Sequence, residues 1–207
     1  MGVGLRERKK AQTREALHDA ALELFNRKGF EQTTVEDIAE ACDVSPRTFF
    51  RYFPTKEDVL FADAEAHRSR LLAAMTALPA DANPFRAVLS GCLAVAAGYG
   101  AQRERLVLRR RVLSTSVQLR ASSAERQRGW EDDVVQLLAR RAEARGGPSE
   151  FELRLVTATA LAALRVALDE WVAGDAGRDL QQLVEDAFRR VGDGLDPDRE
   201  PRAADRP

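Results

Sequence analysis

The amino-acid sequence predicts an all-α protein, with an N-terminal three-helix domain followed by a larger helical domain. Three observations carry this. Ala, Leu, Arg and Glu dominate a chain of 207 residues that is 44% hydrophobic, a composition that favours long helices. Apolar residues recur at i, i+3 and i+4, and no segment shows the pattern of a strand. Three capped helix starts, at Thr34, Ser45 and Thr55, fall within about 25 residues.

The first stripe is Thr13, Ala16, Leu17, Ala20, Ala21, Leu24 and Phe25. It ends at Lys28-Gly29, a cation followed by a glycine stop, which places helix 1 at about 8–28. Thr34 reads as the N-cap of a short helix 2, with Asp37 as its capping-box partner in place of the usual Glu or Gln. Val35, Ile38, Ala39 and Cys42 make its apolar face. Asp43-Val44 forms the turn. Ser45 then caps helix 3 with Pro46 at its first position, and Pro54 stops it after Tyr52. Thr55-Lys56-Glu57-Asp58 is a further box, expected to open a long helix 4 reaching about Ala77.

Beyond Pro79 the pattern stays helical. One helix runs from Pro84 to about Gly100 and another from Gln102 to about Leu113. Ser122 or Ser123 is expected to cap a segment reaching Arg145, with Gly146-Gly147-Pro148 as its stop. Residues 149–173 are apolar around much of their circumference, so this helix should be buried on several sides. The last helix, about 179–193, carries the stripe Leu180, Leu183, Val184, Ala187, Phe188 and Val191. The expected division is a domain over 1–55, a second over 56–193, and a disordered Gly-, Asp-, Pro- and Arg-rich tail over 194–207.

Composition narrows the function. The formal charge is −1, so contact with nucleic acid has to come from a local patch. Met1 to Lys10 lacks the apolar stretch of a secretory signal. The longest uncharged run, Ala87 to Gln102, is shorter than the roughly 20 residues that span a bilayer. Cys42 and Cys92 sit in separate apolar stretches and read as small buried hydrophobes of a reducing cytoplasm, with a disulfide or redox sensor as the alternative. A cytoplasmic protein without membrane contact is expected.

Nothing in the chain assembles a catalytic or metal centre. The two histidines are His18 and His67. Glu15 and His18 have the Glu-x-x-His spacing of di-iron bundles, but that chemistry needs a second copy and two further glutamates. Asp63 and His67 lie at i, i+4 with no third ligand evident. There is no Gly-rich phosphate loop, Cys/His cluster or nucleophile elbow. No enzyme and no cofactor is expected.

Two short helices joined by a tight turn make a helix-turn-helix. Ala39 is small where the helices must meet, Val44 plugs the turn, and Phe49 and Phe53 anchor helix 3. Its outward residues are then Arg47, Thr48, Phe50, Arg51 and Tyr52. Arginine pairs bidentately with guanine in the major groove, and a planar apolar side chain touches a thymine methyl. Thr34, Thr48, Tyr52 and Lys56, at helix starts or edges, are suited to phosphates. The basic arm Arg6, Arg8, Lys9, Lys10, Arg14 precedes helix 1; it reaches a flanking groove or phosphate, or is a solvated, frayed terminus.

The stretch Thr33 to Leu60, with the preceding Leu24-Phe25-Asn26-Arg27-Lys28-Gly29-Phe30, resembles the DNA-binding signature of TetR-family regulators. The resemblance is tight over about 8–62. It implies a homodimer on a palindromic double-stranded DNA operator, usually a repressor released by a small ligand. Thr48, Tyr52 and Lys56 match the family's phosphate-contacting positions, and Phe50 and Arg51 its DNA-facing ones. Arg47 departs from the pattern, since many members have Gly before the Thr.

The rest of the chain is therefore expected to bind ligand and to dimerise. The last two helices carry enough apolar surface to pack on a second copy, placing two recognition helices ~34 Å apart or somewhat more; burial within a monomer is the alternative. Met75, Cys92, Tyr99, Trp130 and Leu161 are candidate pocket walls. Arg109, in the run Arg109-Arg110-Arg111 with Arg103 and Arg105 nearby, belongs to a solvated helix face or holds the phosphates of an acyl-CoA. Leu119 to Arg141 and Ala163 to Trp171 are similar to the C-terminal domain of mycofactocin-system regulators, which implies a long-chain acyl-CoA effector. Two readings stand at this point: a ligand-responsive DNA-binding repressor, and a helical small-molecule or acyl-binding protein that does not contact DNA.

Overall fold

The structure, a computed structural model, describes residues 4–100, 102–142, 147–174 and 178–194. Among them all regular structure is helical: α1 (Leu5–Lys28), α2 (Val35–Ala41), α3 (Pro46–Tyr52), α4 (Ala64–Ala77), α5 (Pro84–Tyr99), α6 (Arg103–Ser114), α7 (Val117–Ala142), α8 (Glu150–Ala173) and α9 (Leu180–Gly192), with a 3-10 turn at Glu57–Phe61. The expected stop at Gly146 and the expected disordered tail beyond Gly194 lie outside the described residues.

Three local expectations are corrected. The basic arm does not precede helix 1, because the helix already begins at Leu5 and carries all five cations. The box at Thr55 forms, with the Asp58 N–H donating to Thr55 Oγ1 at 3.1 Å, yet it opens a 3-10 turn rather than one long helix. Val59 and Leu60 are fully buried there, and the Arg14 guanidinium takes the Ala62 carbonyl oxygen that a continuous helix would offer four residues on. The third correction concerns α7, which begins at Val117 with Ser122 and Ser123 inside it. Ser116 Oγ accepts the Leu119 N–H at 3.4 Å, and the early start brings Leu119 into the core.

The chain forms two compact units. The first joins the chain up to Glu65 to Gln102–Glu125, so α6 and the start of α7 pack with the three N-terminal helices. Its core gathers Leu17, Ala21, Phe25, Ile38, Phe49, Phe53, Val59 and Leu60 with Val112 and Leu119 from the later segment. No division of the chain at a single position describes this unit, because its core needs Val112 and Leu119 from a segment well past the 3-10 turn.

The second unit contains most of α4, all of α5, the rest of α7, and α8 with α9. α5, α8 and α9 pack on one another, with the Phe85 and Phe188 rings 5.1 Å apart. α4 and α5 approach closely at Gly91, where a Cβ would lie 2.9 Å from the Leu71 carbonyl oxygen and 3.1 Å from Met75 Cγ. The Arg141 guanidinium on α7 donates to the carbonyl oxygens of Met75 (2.7 Å), Leu78 (3.2 Å) and Pro79. It thereby satisfies acceptors that the end of α4 leaves open.

Candidate nucleic-acid interface

The turn between α2 and α3 is held by its own sequence. Thr34 Oγ1 accepts the Asp37 N–H, and the Asp37 carboxylate accepts the Thr34 N–H, both at 3.0 Å. That backbone N–H, followed by the Lys28 ammonium at 2.9 Å, holds the Asp37 carboxyl below its ordinary range. The Val44 N–H reaches back to the Ala39 carbonyl oxygen at 3.0 Å. Asp43 adopts φ 52°, a left-handed conformation that Asp tolerates better than most side chains. Ser45 Oγ then accepts the Thr48 N–H at 3.2 Å and starts α3.

With its start fixed, α3 divides into two faces. Phe49 and Phe53 are buried in the first unit's core, with their rings 5.6 Å apart. On the other side Arg47 and Arg51 are exposed and Phe50 is 51% exposed. The Phe50 ring stands at 90° to that of buried Phe49, so an aromatic contact fixes the outward ring from beneath. Thr48 and Tyr52 flank this surface and are half-buried. The Arg51 guanidinium lies 5.2 Å from the Tyr52 ring centroid. A short helix therefore offers two guanidinium forks and an apolar ring on one side while the other is pinned.

Lys56 is more tied down than its sequence position implies. Its ammonium donates to the Phe30 carbonyl oxygen at 2.7 Å and to that of Thr33 at 2.9 Å, and sits 4.3 Å from the Phe30 ring centroid. Two of its three N–H donors therefore hold the loop that leads into Thr34.

Sequence reasoning missed the ties between α1 and α6. Arg105 pairs with Asp19 instead of standing on a solvated face, and Asn26 Nδ2 donates to the Leu22 and Leu108 carbonyl oxygens at 2.8 and 3.1 Å. Partners more than eighty positions apart leave no local signal. His18 is buried in the same unit, its Nδ1 3.7 Å from Asp63 Oδ2. Burial lowers its pKa to about 4, against the opposing pull of Asp63.

The ligand candidates divide between the units. Met75, Cys92, Tyr99 and Leu161 are buried in the second, where Trp130 is half-buried; Arg109, on α6, belongs to the first. The Tyr99 ring lies 4.0 Å from that of buried His67. Burial raises the Cys92 thiol well above its ordinary range. Among the described residues no cluster of His, Cys, Asp or Glu could hold a metal, and no helix is long and apolar enough to cross a membrane.

Comparison with known proteins matches both halves. Residues 17–62 match the family model for bacterial regulatory proteins of the tetR family, and residues 82–196 that of the MftR C-terminal domain. The chain is 36% identical over 204 residues to the transcriptional regulator TcmR of Streptomyces glaucescens, covering 95% of this chain and 88% of that protein. It is 29% identical to the protein named as the mycofactocin biosynthesis transcriptional regulator MftR of Mycobacterium tuberculosis, covering 91% and 94%. Among solved structures it is similar to Thermus thermophilus FadR in complex with lauroyl-CoA, with TM-score 0.59, 27% identity and coverage of 92% and 98%.

Proposed function

The chain belongs to the TetR family of bacterial regulatory proteins, and from this we propose that it is a ligand-responsive repressor. In this reading a homodimer binds a palindromic operator in the cytoplasm and is released by a small apolar or acyl-CoA-like effector. Residues 1–55, completed by α6 and the start of α7, form the DNA-binding domain, and the remainder of 56–193 the effector-binding and dimerisation domain.

The observation that carries the reading is the two-faced α3. In this reading Arg47 and Arg51 pair with guanine and Phe50 meets a thymine methyl, which the burial of Phe49 and Phe53 on the opposite face supports. Thr34, Thr48 and Tyr52 take phosphates alongside, and the remaining Lys56 N–H does the same.

Dimerisation through α8 and α9 is supported by what α8 leaves uncovered. Phe151 and Leu155, at i, i+4, and Val166 further along are exposed, an apolar surface suited to a second copy. The effector class rests on likeness: the T. thermophilus relative was crystallised with lauroyl-CoA, and the second half matches the MftR C-terminal domain. Met75, Cys92, Tyr99, Trp130 and Leu161, all in the second unit, would contact the apolar part of such a ligand.

The test is a gel shift on duplexes enriched by the full chain from a random pool, together with its own upstream DNA. Specific, salt-sensitive binding that Arg51→Ala abolishes is expected. Enrichment of no duplex would instead favour an acyl-binding protein that does not contact DNA. Thermal stabilisation by palmitoyl- or oleoyl-CoA, compared with the free fatty acids, tests the effector; no shift at saturation would remove that class.

A further inference from the structure

The second unit buries a hydroxyl that its own chain does not use. Thr157, on α8, is 0% exposed, and its Oγ1 has no hydrogen-bond partner. Among the described residues of that unit the other buried polar side chain is His67, whose ring lies against that of Tyr99. A helical threonine has a local way out, because its hydroxyl can turn to the carbonyl oxygen four residues back. Thr13 donates in this way to Lys9 at 3.0 Å and Thr76 to Leu72 at 2.7 Å. Thr157 does not take the equivalent Leu153 oxygen, so its hydroxyl serves no acceptor of its own helix.

The surroundings are apolar. Leu153, Ala160, Leu161 and Leu164 share the Thr157 face of α8 and are all buried. α9, packed on α8, buries Leu180, Leu183, Val184 and Phe188. α5, also packed on α8, brings polar side-chain atoms to its buried face only at Cys92 and Tyr99. The backbone carbonyls of these helices are engaged in their own ladders. A buried water needs two to four polar partners, and these surfaces leave it short of them. Phe151, Leu155 and Val166 are exposed on the opposite side of α8, so a second copy packed there does not reach the hydroxyl. An unpaired buried hydroxyl costs stability, and in a native core it calls for a partner.

Leu161, which the effector reading sets against the apolar part of the ligand, lies one turn beyond Thr157. A hydrocarbon entering there would leave the hydroxyl as it was. An acyl thioester brings, at the head of its chain, a carbonyl oxygen that accepts a hydrogen bond and no group that donates one. The Thr157 O–H supplies the donor.

We propose that Thr157 is the polar contact of the effector within the second unit, its hydroxyl donating to a ligand carbonyl oxygen, which for an acyl-CoA is that of the thioester. The inference rests on the effector reading above and deepens it, adding a requirement for a carbonyl to the requirement for apolar bulk.

The experiment measures melting temperature without ligand, and affinity for palmitoyl-CoA and for S-hexadecyl-CoA, the thioether in which a methylene replaces the carbonyl. It uses the full chain and its Thr157→Val and Thr157→Ser variants. Thr157→Val keeps the branched shape and removes the hydroxyl. Without ligand it is expected to melt about 2–4 °C higher, because an unpaired polar group is gone and no partner is lost. It is expected to bind palmitoyl-CoA about tenfold more weakly and S-hexadecyl-CoA as wild type does, so the wild-type preference for the thioester disappears. Thr157→Ser restores that preference. A lower melting temperature for Thr157→Val would show the hydroxyl to be paired in the free protein and would overturn the proposal. Equal binding of the two compounds by wild type, or unchanged palmitoyl-CoA affinity in Thr157→Val, would overturn it while leaving the effector class intact. A wild-type chain that binds neither compound would overturn the acyl-CoA reading and this one with it.

Discussion

Arg105 on α6 grips Asp19 on α1 through two contacts, Nε to Oδ1 at 2.5 Å and Nη2 to Oδ2 at 2.7 Å. This bidentate pair, with the Asn26 bridge to Leu108, ties the helix that supports the helix-turn-helix to a segment arriving from much later in the chain. α6 follows α5 directly in sequence.

The pair should be measurable by a double-mutant cycle. Both side chains are partly exposed, 28% and 44%, so solvent screening limits the coupling to about 0.5–1 kcal/mol. Arg105→Ala and Asp19→Ala should each lower the denaturation midpoint, and the double variant should lose less than their sum. Strict additivity would mean that the pair contributes nothing.

Lys56 should matter for stability as well as for DNA. Lys56→Met leaves the Phe30 and Thr33 carbonyl oxygens without their charged donor, a loss of about 2 kcal/mol. Thermal melting without DNA is the check. A residue that served only a phosphate would leave that melting temperature unchanged.

His18 should give the protein an acid-sensitive limb. Folded His18 titrates at about 4 because burial disfavours its charged form, whereas in the unfolded chain it titrates near 6.5. Between these values the unfolded chain binds more protons, so stability is full above about 6.5 and falls as pH drops toward 4. The slope approaches about 1.4 kcal/mol per pH unit. Denaturant titrations of wild type and His18→Leu across this window should differ in slope, with the variant flatter; parallel curves would contradict the assignment.

Gly91→Ala should destabilise the second unit. The added methyl meets the Leu71 carbonyl oxygen at 2.9 Å, a backbone atom that cannot swing aside, and overpacking of this kind costs about 1–3 kcal/mol. Gly4→Ala, where a Cβ would meet nothing within 4 Å, serves as the control.

The reading head was legible because its determinants are local. Thr34 with Asp37 and Ser45 with Thr48 are neighbours three residues apart, and Phe49 and Phe53 declare the buried face of α3 by their i, i+4 spacing. From these alone the sequence identified the turn, the bounds of α3 and the outward set Arg47, Phe50 and Arg51.

Long-range packing decided the rest. Whether the box at Thr55 would open a helix or a 3-10 turn depended on burying Val59 and Leu60 and on Arg14 reaching Ala62, 48 positions away. The return of α6 and the start of α7 to the N-terminal core, the second role of Lys56 and the neutral state of His18 likewise arise from partners distant in the chain. Hydrogen-bond caps and periodicity act within one or two helical turns, so a single sequence displays them directly. Burial and ion pairing depend on which surfaces meet, and only the folded chain fixes that.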